Sequence, residues 1–185
     1  PPVLPLSNSK AEILGRIDGL RGVNRGGTMG NLGLQAGWFT LSPLWRGLWG
    51  GPTPAGLPLD YDTPDVDKAV VLLTDGSNEW YDHPKPPTGD YTAYGRLSEG
   101  RLGTTSASQA TSRINSRMTD LCAAMKAKRI TIYTITLMVT SETTKSLYRS
   151  CASQPTYYFN SPTSAELRGI FQQIGSQLSN LRLDK

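Results

Sequence analysis

Lys68-Ala-Val-Val-Leu-Leu-Thr-Asp-Gly-Ser-Asn78 is a short apolar run that stops abruptly at an acid followed by a glycine. Ala69 to Leu73 is too short and too uniformly apolar to be one face of a helix, so it reads as a buried strand. A strand that delivers a carboxylate at its carboxyl end places it in the crevice where open α/β sheets bind ligands or metal ions. Asp75 is therefore the first candidate site residue.

On the amino-terminal side, Ser9 to Leu20 carries Ile13, Leu14, Ile17 and Leu20 at helical spacing, and Ser9 with Glu12 forms a capping box. This helix is expected to pack on a sheet. Gly22 to Gly30 reads as a glycine-rich loop, followed by a helix through Leu32, Ala36 and Phe39 that ends before Pro43. Thr28 then stands just before a helix start. Residues 44–67 and 76–103 read as long loops, a length uncommon unless the loop is functional or covered.

Downstream, Ile114, Met118, Leu121, Cys122 and Met125 predict an amphipathic helix over 108–128. Ile130 to Val139 is rich in β-branched residues and predicts a strand. A short helix over 142–149, a strand at Tyr157 to Phe159 and a terminal helix starting near Pro162 complete the order. Strands alternating with helices predict an α/β fold, a parallel sheet with helices on both faces joined by right-handed crossovers. With 185 residues the protein suits one domain.

A net charge of +4 comes from scattered basic residues without a Lys/Arg cluster, which argues against nucleic acid as a partner. No run approaches the ~20 apolar residues of a membrane span. Asp60, Asp62, Asp65 and Asp67 suggest a calcium loop, but the spacing fails: no glycine stands sixth from Asp60, and Val71 stands twelfth. His83, the one histidine, has no nucleophile paired with it in sequence, and no nucleophile elbow or P-loop occurs. The protein is accordingly read as a non-enzyme; a hydrolase using Asp75 and His83 is the lesser alternative.

Three features keep two readings each. Asp75 is either a metal contact or a turn former capping backbone amides, and Thr28 either a ligand or a helix N-cap. Trp80, Tyr81, Tyr91 and Tyr94 either pin the loop after Asp75 to the body or form a partner surface. Cys122 and Cys151, the two cysteines, are either reduced buried thiols or one disulfide closing a loop worth ~3–4 kcal/mol.

Gly27-Thr28 before a helix, Leu32 to Trp38 leading to Leu41-Ser-Pro43, and Val70-Val-Leu-Leu-Thr-Asp-Gly-Ser-Asn78 resemble the von Willebrand factor type A fold. More narrowly the sequence resembles the C-terminal part of TadG-like proteins of the bacterial Flp, or tight-adherence, pilus system. That resemblance extends through Tyr91 to Gly95, Leu121-Cys122, Ile130 to Leu137, Cys151-Ala-Ser153, Tyr157 to Phe159 and Leu178 to Leu183.

The resemblance implies a metal-ion-dependent adhesion site in which Thr28 supplies the second loop and Asp75 the third. The first loop of that site, Asp-x-Ser-x-Ser, does not occur in this sequence. In the family it lies on the first strand, upstream, so the resemblance implies an N-terminally incomplete domain lacking the first strands. Mg2+ or another divalent cation is then expected only with that upstream segment present, because a hard cation needs about six oxygens. The family order also puts the missing strand beside residues 69–73, making an upstream segment or another polypeptide the expected partner along that edge. The implied role is recognition in the bacterial cell envelope, in pilus assembly or attachment to a protein ligand or pilus component, with Cys122 and Cys151 disulfide-bonded. A purely structural envelope domain is the alternative.

Overall fold

A computed structural model of the protein describes residues 2–22, 27–51, 53–81, 90–161 and 163–180. Among these residues, five helices, α1 (Lys10–Asp18), α2 (Gly30–Leu41), α3 (Ala107–Ala127), α4 (Glu142–Cys151) and α5 (Ser164–Asn180), accompany three strands, β1 (Lys68–Thr74), β2 (Ile130–Leu137) and β3 (Tyr158–Ser161). The strands form one parallel sheet in the order β1-β2-β3. The expected mixed α/β fold with a parallel sheet is present. Pro162 and His83 lie outside the described residues.

Alternation along the strands sends even-numbered residues of β1 and β2 to one face and odd-numbered ones to the other. On the first face Leu72, Ile130 and Ile132 meet Leu34 of α2, Met118, Cys122 and Met125 of α3, and Tyr148 and Cys151 of α4. Met118, Met125 and Ile132 are completely enclosed. Cys122 and Cys151 form a disulfide across this core, tying α3 to α4 with Cα atoms 5.2 Å apart. The other face carries Tyr133 and Ile135, covered by α5 through Ile174.

Local signals set the element ends. The Ser106, Ser141 and Ser9 hydroxyls accept from backbone amides three residues on, capping α3, α4 and α1. Arg129, at a left-handed φ of 58°, turns the backbone from α3 into β2. β2 stops at Leu137 rather than Val139: Met138 also takes a left-handed φ, of 54°, and its amide makes the last bond to β3, donating to the Ser161 carbonyl at 2.8 Å. The buried Lys68 ammonium donates to the carbonyls of Leu41, 2.6 Å away, and Leu59, binding the end of α2 to the loop before β1. Burial holds that ammonium below its usual pKa, with Asp60 pulling the other way.

Two expectations are corrected. The helix at the start of the sequence does not pack on the sheet: α1 buries no residue, and Ile13, Leu14, Ile17 and Leu20 are all exposed. The core clusters are built from the strands, α2 to α5 and the loops beside them, and none includes a residue of α1. Residues 69–73 are also not a uniformly buried strand. Val71 and Leu73 are 37% and 39% exposed on the α5 side, because α5 centres on β2 and β3.

Candidate functional site

The carboxyl ends of β1 and β2 gather a group of hydroxyls around one carboxylate. Thr74, the last residue of β1, closes the turn that follows: its Oγ1 accepts from the Gly76 amide at 3.2 Å and lies 2.7 Å from the Gly76 carbonyl. The turn-capping role considered for Asp75 thus falls to Thr74. The Asp75 side chain is exposed and makes no hydrogen bond or ion pair among the described residues. An acid so placed is free to meet a ligand from solution.

Thr28 is brought to this turn by an isolated antiparallel bridge with Glu79, in which the Glu79 amide donates to the Thr28 carbonyl at 2.9 Å. The Thr28 hydroxyl lies 3.8 Å from the position a Cβ would take on Gly76. The two residues singled out from sequence, Thr28 and Asp75, therefore flank the same turn. Thr28 does not cap α2, however. Met29 is the N-cap residue and offers no side-chain bond.

The cap comes from Asn78, a residue that sequence reasoning passed over. Its Oδ1 accepts from the Gly30 amide at 2.8 Å, and its Nδ2 donates to Asn115 Oδ1 at 2.9 Å. A single buried amide thus locks the loop after β1 to the start of α2 and the middle of α3. Gly30 is required there, because a Cβ would stand 2.8 Å from the Tyr148 hydroxyl and 3.0 Å from Asn78 Oδ1. The only sequence signal for this was the Asp-Gly-Ser-Asn continuation of the turn. A contact across 48 residues has no local signature.

Ser77 and Thr144 share a hydrogen bond of 2.6 Å, linking the loop to the first turn of α4. Tyr148, one turn further along α4, is buried. Burial pushes its hydroxyl above the ordinary tyrosine value; a hydrogen bond with Thr74 works against this and the Asp75 charge adds to it. The cluster holds one carboxylate, and no group of three or more His, Cys, Asp or Glu side chains suited to a metal occurs among the described residues. Asp75 and the Thr28 hydroxyl would supply two oxygens, whereas a hard divalent cation takes about six. These residues alone do not make a complete cation site.

The four loop aromatics divide. Trp80 is buried with Leu102, Ala110 and Ile114, so it pins the loop to α3. Tyr94 is half-buried against the same cluster, and its hydroxyl accepts from Asn31 Nδ2 at 2.6 Å. Tyr81 is half-buried beside Gly27, while Tyr91 is 72% exposed. Of the acidic loop, Asp60 pairs with Arg46 at 2.7 Å and Asp62 with Arg129 at 2.9 Å, which fits a solvated loop tied down by salt bridges.

No protein-family model matches the sequence, and no curated protein matches it. Two solved structures of proximal thread matrix protein 1 from the mussel byssus are similar at 20% and 19% identity, each with a TM-score of 0.49. Each comparison covers 90% of this protein and 28% of that one. A likeness of this size carries no argument about family or role.

Proposed function

We propose that this protein is a non-enzymatic recognition domain of the von Willebrand factor type A kind, from a TadG-like protein of a bacterial tight-adherence pilus system. The observation that carries the reading is the exposed Asp75 just after a parallel strand, unpaired among the described residues, with the Thr28 hydroxyl beside the same turn. The Cys122–Cys151 disulfide supports an extracytoplasmic setting, since such bonds persist in oxidising compartments. No described helix is long and apolar enough to cross a membrane.

Recognition in this reading uses the strand-end turn, with a partner's carboxylate and further oxygens from an upstream segment completing any divalent-cation shell. The same segment, or another polypeptide, pairs with the outer edge of β1. Support comes from the strand order, which among the described residues leaves β1 bonded on one side only, and from the exposed Val71 and Leu73.

Calorimetry with Mg2+ on this protein, and again on a longer version that includes the upstream segment, tests the reading. Binding is expected only to the longer version, and Asp75→Ala should abolish it there. A longer version whose partner binding is unchanged by Asp75→Ala would leave the purely structural role standing. That alternative has one observation on its side: the hydroxyls of Ser77 and Thr144 already satisfy each other.

A further inference from the structure

Residues 43–51 follow α2 as a run of tight turns. The Trp45 amide donates to the Ser42 carbonyl, Arg46 to Pro43 and Leu48 to Trp45, at 3.0 to 3.1 Å, and Gly47 makes the last bend at a left-handed φ of 75°. Leu44 and Leu48 stand out from this run, 85% and 70% exposed, more than any other large aliphatic side chain among the described residues. Three rings brace the same loop: Phe39 stacks on Trp45 with centres 4.5 Å apart, and Trp45 meets Trp49 at 5.3 Å. We propose that this loop docks the protein on an anionic phospholipid bilayer, with Leu44 and Leu48 entering the boundary between headgroups and acyl chains.

Exposed apolar side chains gathered in one place mark a protein or a membrane contact, and shape and charge select the membrane. Leucines standing out singly from a turn need a fitted socket for each on a protein partner, whereas an acyl boundary closes around any apolar tip. Tryptophan is the residue that the headgroup zone favours, because its ring is apolar and its indole N–H polar. As to charge, no acidic residue occurs between Asp18 and Asp60, whereas Arg21, Arg25 and Arg46 do. Asp60 itself is neutralised by Arg46 at 2.7 Å. The loop therefore approaches lipid phosphates without a repelling carboxylate.

The neighbouring segment has the same character. The Thr53 hydroxyl donates to the Leu6 carbonyl at 2.9 Å, and Pro54 and Leu57 line a small cavity with Leu6, Ser7 and Asn8. The loop is thereby fastened to the segment leading into α1, whose apolar stripe is a second uncovered element. An amphipathic helix without a protein face over it has the form that lies along a membrane surface rather than across it. The docking loop uses neither Thr28 nor Asp75, so it stands independently of the reading above.

The test is co-sedimentation of the intact, disulfide-bonded protein with vesicles of phosphatidylcholine and phosphatidylglycerol, together with tryptophan fluorescence on vesicles carrying brominated acyl chains. Saturable binding is expected, with the emission moved to the blue and quenched by the bromine. Leu44→Ser combined with Leu48→Ser should weaken binding at least about tenfold, with unchanged circular dichroism because both side chains are exposed. That variant keeps the net charge of +4, so simple attraction of a basic protein to the vesicle does not respond to it. Met138→Ser, which removes an exposed apolar side chain elsewhere, should leave binding unchanged. The proposal is overturned by the absence of saturable binding, by affinity indifferent to the leucine pair, or by binding without quenching. Self-association that the leucine pair abolishes, with no vesicle binding, overturns it in favour of a second copy as the occupant.

Discussion

The two faces of the same sheet are finished to different degrees. On the face toward α2, α3 and α4, Met118, Met125 and Ile132 are completely enclosed and a disulfide clamps two of the covering helices. On the opposite face α5 contributes the buried Ile174, while Val71, Leu73 and Phe171 remain open to solvent. Apolar area removed from water contributes roughly 25 cal/mol per Å², so the enclosed face carries most of the stability. The open face is where a further segment has something to gain by binding.

The contrast is tested hardest by Ile132→Ala on the closed face. It should cost about 4 kcal/mol in urea unfolding, as large-to-small changes in sealed cores do. A loss below about 1 kcal/mol would mean that this core is loose and the contrast false. Replacing Cys122 and Cys151 together by Ala should cost about 3 kcal/mol, read by comparing urea midpoints with those of the oxidised parent. Asn78→Ala strips the Gly30 amide and Asn115 of their partner at the sheet end and should cost about 2 kcal/mol.

On the open face, effects shrink and one changes sign. The Tyr133 hydroxyl is buried without a hydrogen-bond partner of good geometry among the described residues, so Tyr133→Phe should stabilise by up to about 1 kcal/mol. Burial, with neighbouring Tyr157 adding to it, pushes that hydroxyl up to about 12. In the unfolded protein it titrates near 10, so between about pH 10 and 12 the unfolded state sheds a proton that the folded state retains. Its contribution is fully present below about pH 10 and is lost as pH rises through about 12. The Phe variant should lack that part of the alkaline decline, measured by thermal unfolding across the range. Leu73→Gln should change stability by no more than about 0.5 kcal/mol while weakening pairing of an added segment with β1, read by calorimetry with the longer version. A loss rivalling Ile132→Ala would show that the open face is covered after all.

Much of the architecture was legible because periodicity is a local property. The 3.6-residue pattern through Ile114, Met118, Cys122 and Met125 marked α3 within one residue at each end, and the β-branched run marked β2 up to Met138. At the site, Thr28 and Asp75 were picked out, and the structure sets them at one turn. Asn78 was not, because its worth lies in amides and side chains supplied by distant segments. Nor was the division of the aromatics, since Trp80 and Tyr91 differ in what lies over them rather than in their neighbours in the sequence.

Residue order alone was enough to place the helices and strands to within a few residues, to say that the strands run parallel, and to put an acid just after β1. Each follows from side-chain spacing and backbone preference over a few residues. Packing in three dimensions was needed to establish that Cys122 and Cys151 are bonded, that Thr74 and Asn78 rather than Asp75 and Thr28 satisfy the backbone, and that the amphipathic α1 lies uncovered. An apolar stripe states a need for burial, but whether a face meets it depends on how distant segments come together. No residue of α1 joins any of the three core clusters, even though Val71 and Leu73 leave apolar surface open on the α5 face.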